Sequence, residues 1–166
     1  MKEKEQIVPS LKIFNTPTEI GLRSLIILRS SKRVIMDVEK LMYLDYLILN
    51  TFDVGGPPSI HSPIPNRGVQ IYSKKDLIQR GLKTLLSKEL IDFIASDKGF
   101  MYQINDAGIM FLELFQTKYF EDLVYRSNWV LDKWGSYNNI ELKALIDSNL
   151  QKWGGELIYK FNPENR

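Results

Sequence analysis

Leu90-Ile-Asp-Phe-Ile-Ala-Ser96-Asp-Lys-Gly99-Phe-Met-Tyr102-Gln-Ile104-Asn105-Asp-Ala-Gly108 is the stretch that decides the fold. Two β-prone runs flank Asp97-Lys98-Gly99, a three-residue turn carrying a glycine, and together they predict a hairpin. Asn105 then offers a side-chain cap to a helix in which Ala107, Met110, Phe111, Leu114 and Phe115 are apolar. Upstream, Leu77, Ile78, Leu82, Leu85 and Leu86 recur at helical spacing, with Ser73 and Asp76 as an N-cap signature. Everything else that is regular reads as helix, apart from Val69-Gln-Ile-Tyr72, whose alternation predicts a short strand.

Working outward, Thr16-Pro-Thr-Glu19 is a capping box with a proline starter. Ile20, Leu22, Leu25, Ile26 and Leu28 follow it and are apolar over most of the cylinder, so a buried helix is expected that ends near Ser30-Ser31. Asp37 caps a second helix through Leu41, Leu44, Ile48 and Phe52. Asp45 is the one charge inside that run, and its expected place is an exposed edge. Phe120 to Trp134 and Ile140 to Trp153 read as two further helices, stopped by Gly135 and by Gly154-Gly155. The three tryptophans, Trp129, Trp134 and Trp153, all fall in this part, either as core or as an interface. The order of helix, hairpin and helix resembles the end of a winged-helix domain. Gly99-Phe-Met-Tyr102 and Asn105-Asp-Ala-Gly108 carry that resemblance. The expected architecture is mainly α with a small β-hairpin wing: a winged helix-turn-helix-like core at residues 15–116, an N-terminal arm at 1–14, a helical extension at 117–156 packed on the core and a tail at 157–166.

Between the second and third helices lies Asp53-Val-Gly55-Gly56-Pro57-Pro-Ser59-Ile60-His61-Ser-Pro-Ile64-Pro-Asn-Arg67, the core of a Gly/Pro loop at residues 53–68. It holds four of the seven prolines. Its prolines fix φ and remove amide donors, so neither a helix nor a central strand can run through it. Val54, Ile60 and Ile64 set it apart from a polar linker. It reads as a fixed crossover loop packed on its own domain, with a partner contact as the alternative, since loops on rigid scaffolds often carry function.

Composition excludes several classes of function. The chain has 166 residues, which suits one domain with an extension. It has no cysteine, so disulfides, a thiolate nucleophile and sulfur-ligated zinc are out. His61 is its one histidine and a poor metal ligand alone. Ser59 and His61 could at most serve a hydrolase, with no third group placed to orient them. The glycines fit neither a P-loop nor a dinucleotide fingerprint. A non-enzymatic protein without cofactor or metal is expected. Met1-Lys-Glu-Lys-Glu-Gln6 does not read as a secretory signal, and no apolar run is long enough to span a membrane, so a cytoplasmic protein without membrane contact is expected.

Twenty-two basic residues face twenty acidic ones, a net charge of +2. That steers weakly toward phosphate. Lys74, Lys75, Gln79, Arg80 and Lys83 form the outer face of the third helix, and Lys98 sits at the wing tip. These residues could contact DNA phosphates, or they could simply solvate a surface helix.

Several features occur together: the buried Leu25–Leu28 helix, Leu41-Met-Tyr-Leu-Asp-Tyr46, the Asp53–His61 loop, Arg80-Gly-Leu82, the wing, and Leu150-Gln-Lys-Trp-Gly-Gly155. The combination resembles the middle component of ABC-three-component systems, bacterial conflict operons that include the Lamassu anti-phage type. The resemblance spans about residues 15 to 156. It implies a small winged-helix subunit without catalytic chemistry. Such a subunit couples an ABC ATPase resembling structural-maintenance-of-chromosomes (SMC) proteins to a toxic effector, often a nuclease. Weak non-specific DNA contact and self-association are further expectations. Asp53, Gly55, Gly56, Pro57, Ser59 and His61 match the family's loop, and Ile60, Ile64 and Arg67 complete the candidate partner-binding surface. The competing reading is a winged-helix transcriptional regulator that binds DNA.

Overall fold

The computed structural model describes residues 16–61, 68 and 70–154. The order of elements is α1 (Pro17–Ser30), α2 (Val38–Leu49), a 3-10 turn (Thr51–Val54), α3 (Gln70–Ser73), α4 (Lys75–Ser87), β1 (Ile91–Ser96), β2 (Gly99–Ile104), α5 (Asp106–Leu112), α6 (Lys118–Trp134) and α7 (Asn139–Gly154). The chain is thus mainly helical with one antiparallel hairpin. Side chains cap the helices where the sequence placed them. Thr16 accepts from the Glu19 amide, Asp37 from the Lys40 amide and Asn105 from the Gly108 amide.

α1 and α2 are buried almost all round, which explains their continuous apolar runs. α1 packs most extensively against α4, and α6 lies across both α1 and α2. α1 and α4 approach closely because glycines meet at their crossing. A methyl group on Gly81 would sit 2.7 Å from the Pro17 carbonyl oxygen and 2.8 Å from the Gly21 nitrogen. Leu25, Leu28, Leu41, Leu44, Leu82 and Ile146 belong to one continuous core, so α7 closes the same body that α1 begins.

The hairpin differs in one detail from its expected form. Ser96 pairs with Gly99, which leaves a two-residue turn, Asp97-Lys98, and puts Gly99 at the strand end with φ 103°. Neither Asp97 nor Lys98 has a positive φ; the left-handed angle falls on the residue just after them, where glycine takes it without strain. A third short segment joins the sheet: Met36 and Tyr102 exchange both backbone hydrogen bonds, at 3.0 and 2.8 Å. No periodicity marks a single paired residue, so this bridge is not legible in the sequence.

Three expectations are corrected. Residues 70–73 are helical rather than a strand, because Ile71 is buried from a helical turn while Tyr72 stays outside. Ser73 does not cap α4. Its hydroxyl bonds to the Gln70 carbonyl, and Lys74 occupies the cap position without a side-chain bond. Asp45 is not on an exposed edge: it is 1% exposed.

Candidate partner-binding loop and the buried charge cluster beneath it

The first half of the Gly/Pro loop is a folded object. Thr51 is fully buried, and its hydroxyl donates to the Pro57 carbonyl at 2.8 Å. The Gly56 amide bonds back to the Thr51 carbonyl at 2.9 Å, and the Phe52 amide donates to the Ser59 hydroxyl at 3.2 Å. Gly55 ends the 3-10 turn with φ 76°, a conformation that favours glycine. Ser59 is therefore a brace of the loop.

α6 supplies the platform. The Arg126 guanidinium donates twice to the Pro58 carbonyl, at 2.9 and 2.6 Å. Gly56 lies under the Trp129 ring so closely that a methyl group there would sit 2.5 Å from a ring carbon. Trp129 in turn makes a T-shaped contact with Trp134 at 5.6 Å and carries the Lys133 ammonium 4.9 Å above its ring. Trp129 and Trp134 thus pack as part of the loop's support. The Trp153 side chain lies outside the described residues, as do Ile64 and Arg67 of the expected surface.

Ile60 packs against the core, so it anchors the loop inward. Phe52, one residue before the candidate set begins, is 69% exposed. Among the described residues it is the large apolar side chain that this loop presents to solvent, and it marks where a partner could bear on it.

Beneath the loop, charged side chains meet in the core. Arg23 of α1 and Asp45 of α2 form a two-point ion pair, with Nε to Oδ1 at 2.6 Å and Nη2 to Oδ2 at 3.0 Å. Arg23 is 2% exposed and also holds Glu19 at 3.0 Å. Lys74 brings its ammonium to 3.9 Å from Asp45. Tyr119 of α6 donates to Glu19 at 3.3 Å and lies 3.4 Å from His61 Nε2. The cluster therefore links α1, α2, α6, the start of α4 and the end of the described loop segment.

Burial and charge compete within it. Burial disfavours both members of the ion pair, yet each stays ionised because its partner outweighs that cost. The Arg23 guanidinium is held above its ordinary range and the Asp45 carboxyl below its own. Burial lowers the Lys74 ammonium, and Asp45 offsets it only in part. Burial, followed by the nearby Arg23 charge, also lowers the His61 imidazole. His61 is thus a neutral hydrogen-bonding group at pH 7.

The predicted phosphate-contact residues divide. Lys75, Gln79, Arg80 and Lys83 are exposed on α4, where Arg80 pairs with Asp76 at 3.1 Å. Lys74 is turned inward to Asp45, with 14% of its side chain exposed, and does not belong to that face. Lys98 is exposed at the hairpin turn, in a cleft that it shares with the α6–α7 link. The sequence reading missed Arg23 and Arg126, took Glu19 only as part of a capping box, and placed Phe52 on the apolar stripe of the second helix, which ends at Leu49. The first was detectable: an arginine within an all-round apolar helix demands a buried partner.

Among the described residues no cluster of ligating side chains could hold a metal ion, and no helix is long and apolar enough to cross a membrane. No curated protein and no solved structure matches the chain. Residues 13–156 match the family model of the ABC-three component (ABC-3C) system Middle Component 2, and the chain belongs to that family. It is accordingly one component of a multi-component system and has partner subunits.

Proposed function

We propose that this middle component is the non-enzymatic adaptor of a bacterial anti-phage defence complex of the Lamassu kind. In this reading it couples an SMC-like ABC ATPase to a toxic effector in the cytoplasm. The observation that carries the reading is the braced loop with Phe52 on its outer side. A surface already held by Arg126, Trp129 and Ser59 loses little entropy when a partner docks. The charge cluster beneath it, with Arg23 and Asp45 buried and paired to each other, suits a scaffold better than a reaction centre.

The test is Phe52→Asp, assayed by capture of the ATPase subunit and by thermal melting. Phe52 is 69% exposed, so folding should be unaffected while capture is lost. Unchanged capture would remove the loop from the interface. Ile60→Asp is a poorer probe, because Ile60 packs against the core and its loss mixes folding with binding.

One observation favours the second reading, a winged-helix regulator that binds DNA. The Met36 bridge adds a third segment to the hairpin's sheet, and α4, just before the hairpin in sequence, exposes Lys75, Gln79, Arg80 and Lys83. That reading requires tight binding to one short duplex, lost on Arg80→Ala. The adaptor reading expects only weak, sequence-independent binding that falls steeply with salt.

A further inference from the structure

The hairpin leaves one strand edge open. Tyr102 spends its backbone amide and carbonyl on Met36, so both point away from β1. Residue pairs in an antiparallel ladder alternate between hydrogen-bonded and non-bonded. Phe93, opposite Tyr102, therefore turns its own amide and carbonyl to the far side of β1, and Ala95, two residues on, does the same. Among the described residues nothing bonds to them there: the sheet has two strands, and Met36 joins it on the β2 side.

This edge lacks the usual protections. Exposed edges are commonly blunted by lysine, proline or a bulge. β1 has neither lysine nor proline, and its register with β2 runs unbroken from Ile91 to Ser96. Its one charge is Asp92, whose carboxylate accepts from Asn105 Nδ2 at 3.1 Å. Beside the edge stand two aromatic rings outside the core. Phe93 is 47% and Phe100 65% exposed, and Phe93 lies 5.1 Å from Phe100 and 5.8 Å from Tyr102.

Open backbone donors and acceptors take an extended strand, and β1 is complementary to itself in the antiparallel sense. When Phe93 is set opposite Ala95 of a second copy, Ala95 falls opposite Phe93 and Ile94 meets its own counterpart. Large side chains then face small ones. On one face Phe100 and Ala95 run on into the second copy's Phe93 and Tyr102. On the other, Met101 and Ile94 run on into the second copy's Ile94 and Met101. Asp92 comes opposite Ser96, so no like charges are directly opposed. Slipping the register by two residues sets Ile94 against Asp92 or Ser96 and breaks the apolar row.

We propose that this edge pairs with the same edge of a second copy, β1 against β1 about a two-fold axis at Ile94, so that two hairpins form one four-stranded sheet. The surface shares no residue with the Gly/Pro loop. Two strands and their flanking side chains make a contact at the low end of specific interfaces, below about 1,200 Å². The dimer therefore forms at high concentration and dissociates on dilution.

The chain has no cysteine, so a single introduced one reports the register. Opposed Cα atoms in a non-bonded antiparallel pair lie about 4.5 Å apart, within reach of a disulfide. The full chain carrying Ile94→Cys should oxidise to a linked dimer. Ser96→Cys, on the same face but opposite Asp92, should link about tenfold less. In light scattering the native chain should approach twice 19.3 kDa at high concentration and return to 19.3 kDa on dilution. Ala95→Pro removes an amide that no bond within the hairpin uses, so it should melt like the native chain and stay monomeric. If that variant melts early, the two cysteine variants decide. A native chain monomeric at every concentration, equal linkage at positions 94 and 96, or a dimer that survives Ala95→Pro would overturn the proposal. So would Phe93 and Ala95 amides that exchange hydrogen freely at high concentration and are protected only by the partner subunits or only by duplex DNA, since either result gives the edge to another occupant.

Discussion

Arg23 and Asp45 are each the one charge inside an apolar run, on α1 and on α2. Asp45 alone reads as an exposed edge of its helix. Taken together, opposite charges on two all-apolar helices can only be buried against each other, because neither could be desolvated unpaired. The loss of Asp45 strands a buried guanidinium. Asp45→Ala is expected to destabilise the protein by about 3–5 kcal/mol in denaturant titration. Glu19 remains 3.0 Å from Arg23, so the lower end of that range is the expectation. Replacing both partners, Arg23→Met with Asp45→Leu, should recover most of the loss. His61 gives the cluster a pH response. Its folded pKa lies below its ordinary value of 6.5. The unfolded chain therefore binds a proton more readily than the native one, and stability must fall as pH drops below about 6.5. Among the described residues, Glu19, Arg23, Asp45, Lys74 and Tyr119 face it. Melting at pH 7.5 and at pH 5.5 should differ more for the native protein than for His61→Gln. Equal differences would show that other groups carry the response.

At the scale of elements, caps and periodicity were legible and contacts were not. Thr16, Asp37 and Asn105 announce helix starts because a capping side chain acts within three residues of itself. The hairpin was legible for the same local reason. The Met36–Tyr102 bridge, the platform of Arg126 and Trp129, and the inward turn of Lys74 all join residues distant in sequence, and no spacing rule reports them. The Gly21–Gly81 crossing belongs to the same class. Arg80-Gly81-Leu82 stands out in the sequence, but its meaning appears only when α1 lies against it. Gly81→Ala forces backbone against backbone at 2.7 and 2.8 Å, which no rotamer change can relieve. We expect a loss of about 1–3 kcal/mol, measurable as a lowered melting temperature. Ala at Gly55, where nothing lies within 4 Å, should suffer only from its left-handed backbone. If Gly81→Ala melts like the native protein, the α1–α4 crossing is looser than described.

Across the whole molecule, α1, α2, α4, α6 and α7 share one core, and the braced loop and the basic face of α4 lie outside it. Composition had already argued against an enzyme, and nearly balanced charge against a dedicated DNA binder. Family membership then makes the chain one component among several. What composition could not reveal is where partners bear on it, since exposure of Phe52 and Phe93 is a property of the packed chain. An adaptor must be required for its partners to meet. The direct measurement is therefore the assembly itself: ATPase and effector subunits mixed with and without this chain, with the mass of each species read by light scattering after gel filtration. The account predicts that the two co-elute only when this chain is present and separate when it carries Phe52→Asp. Co-elution of ATPase and effector in its absence would contradict the adaptor role.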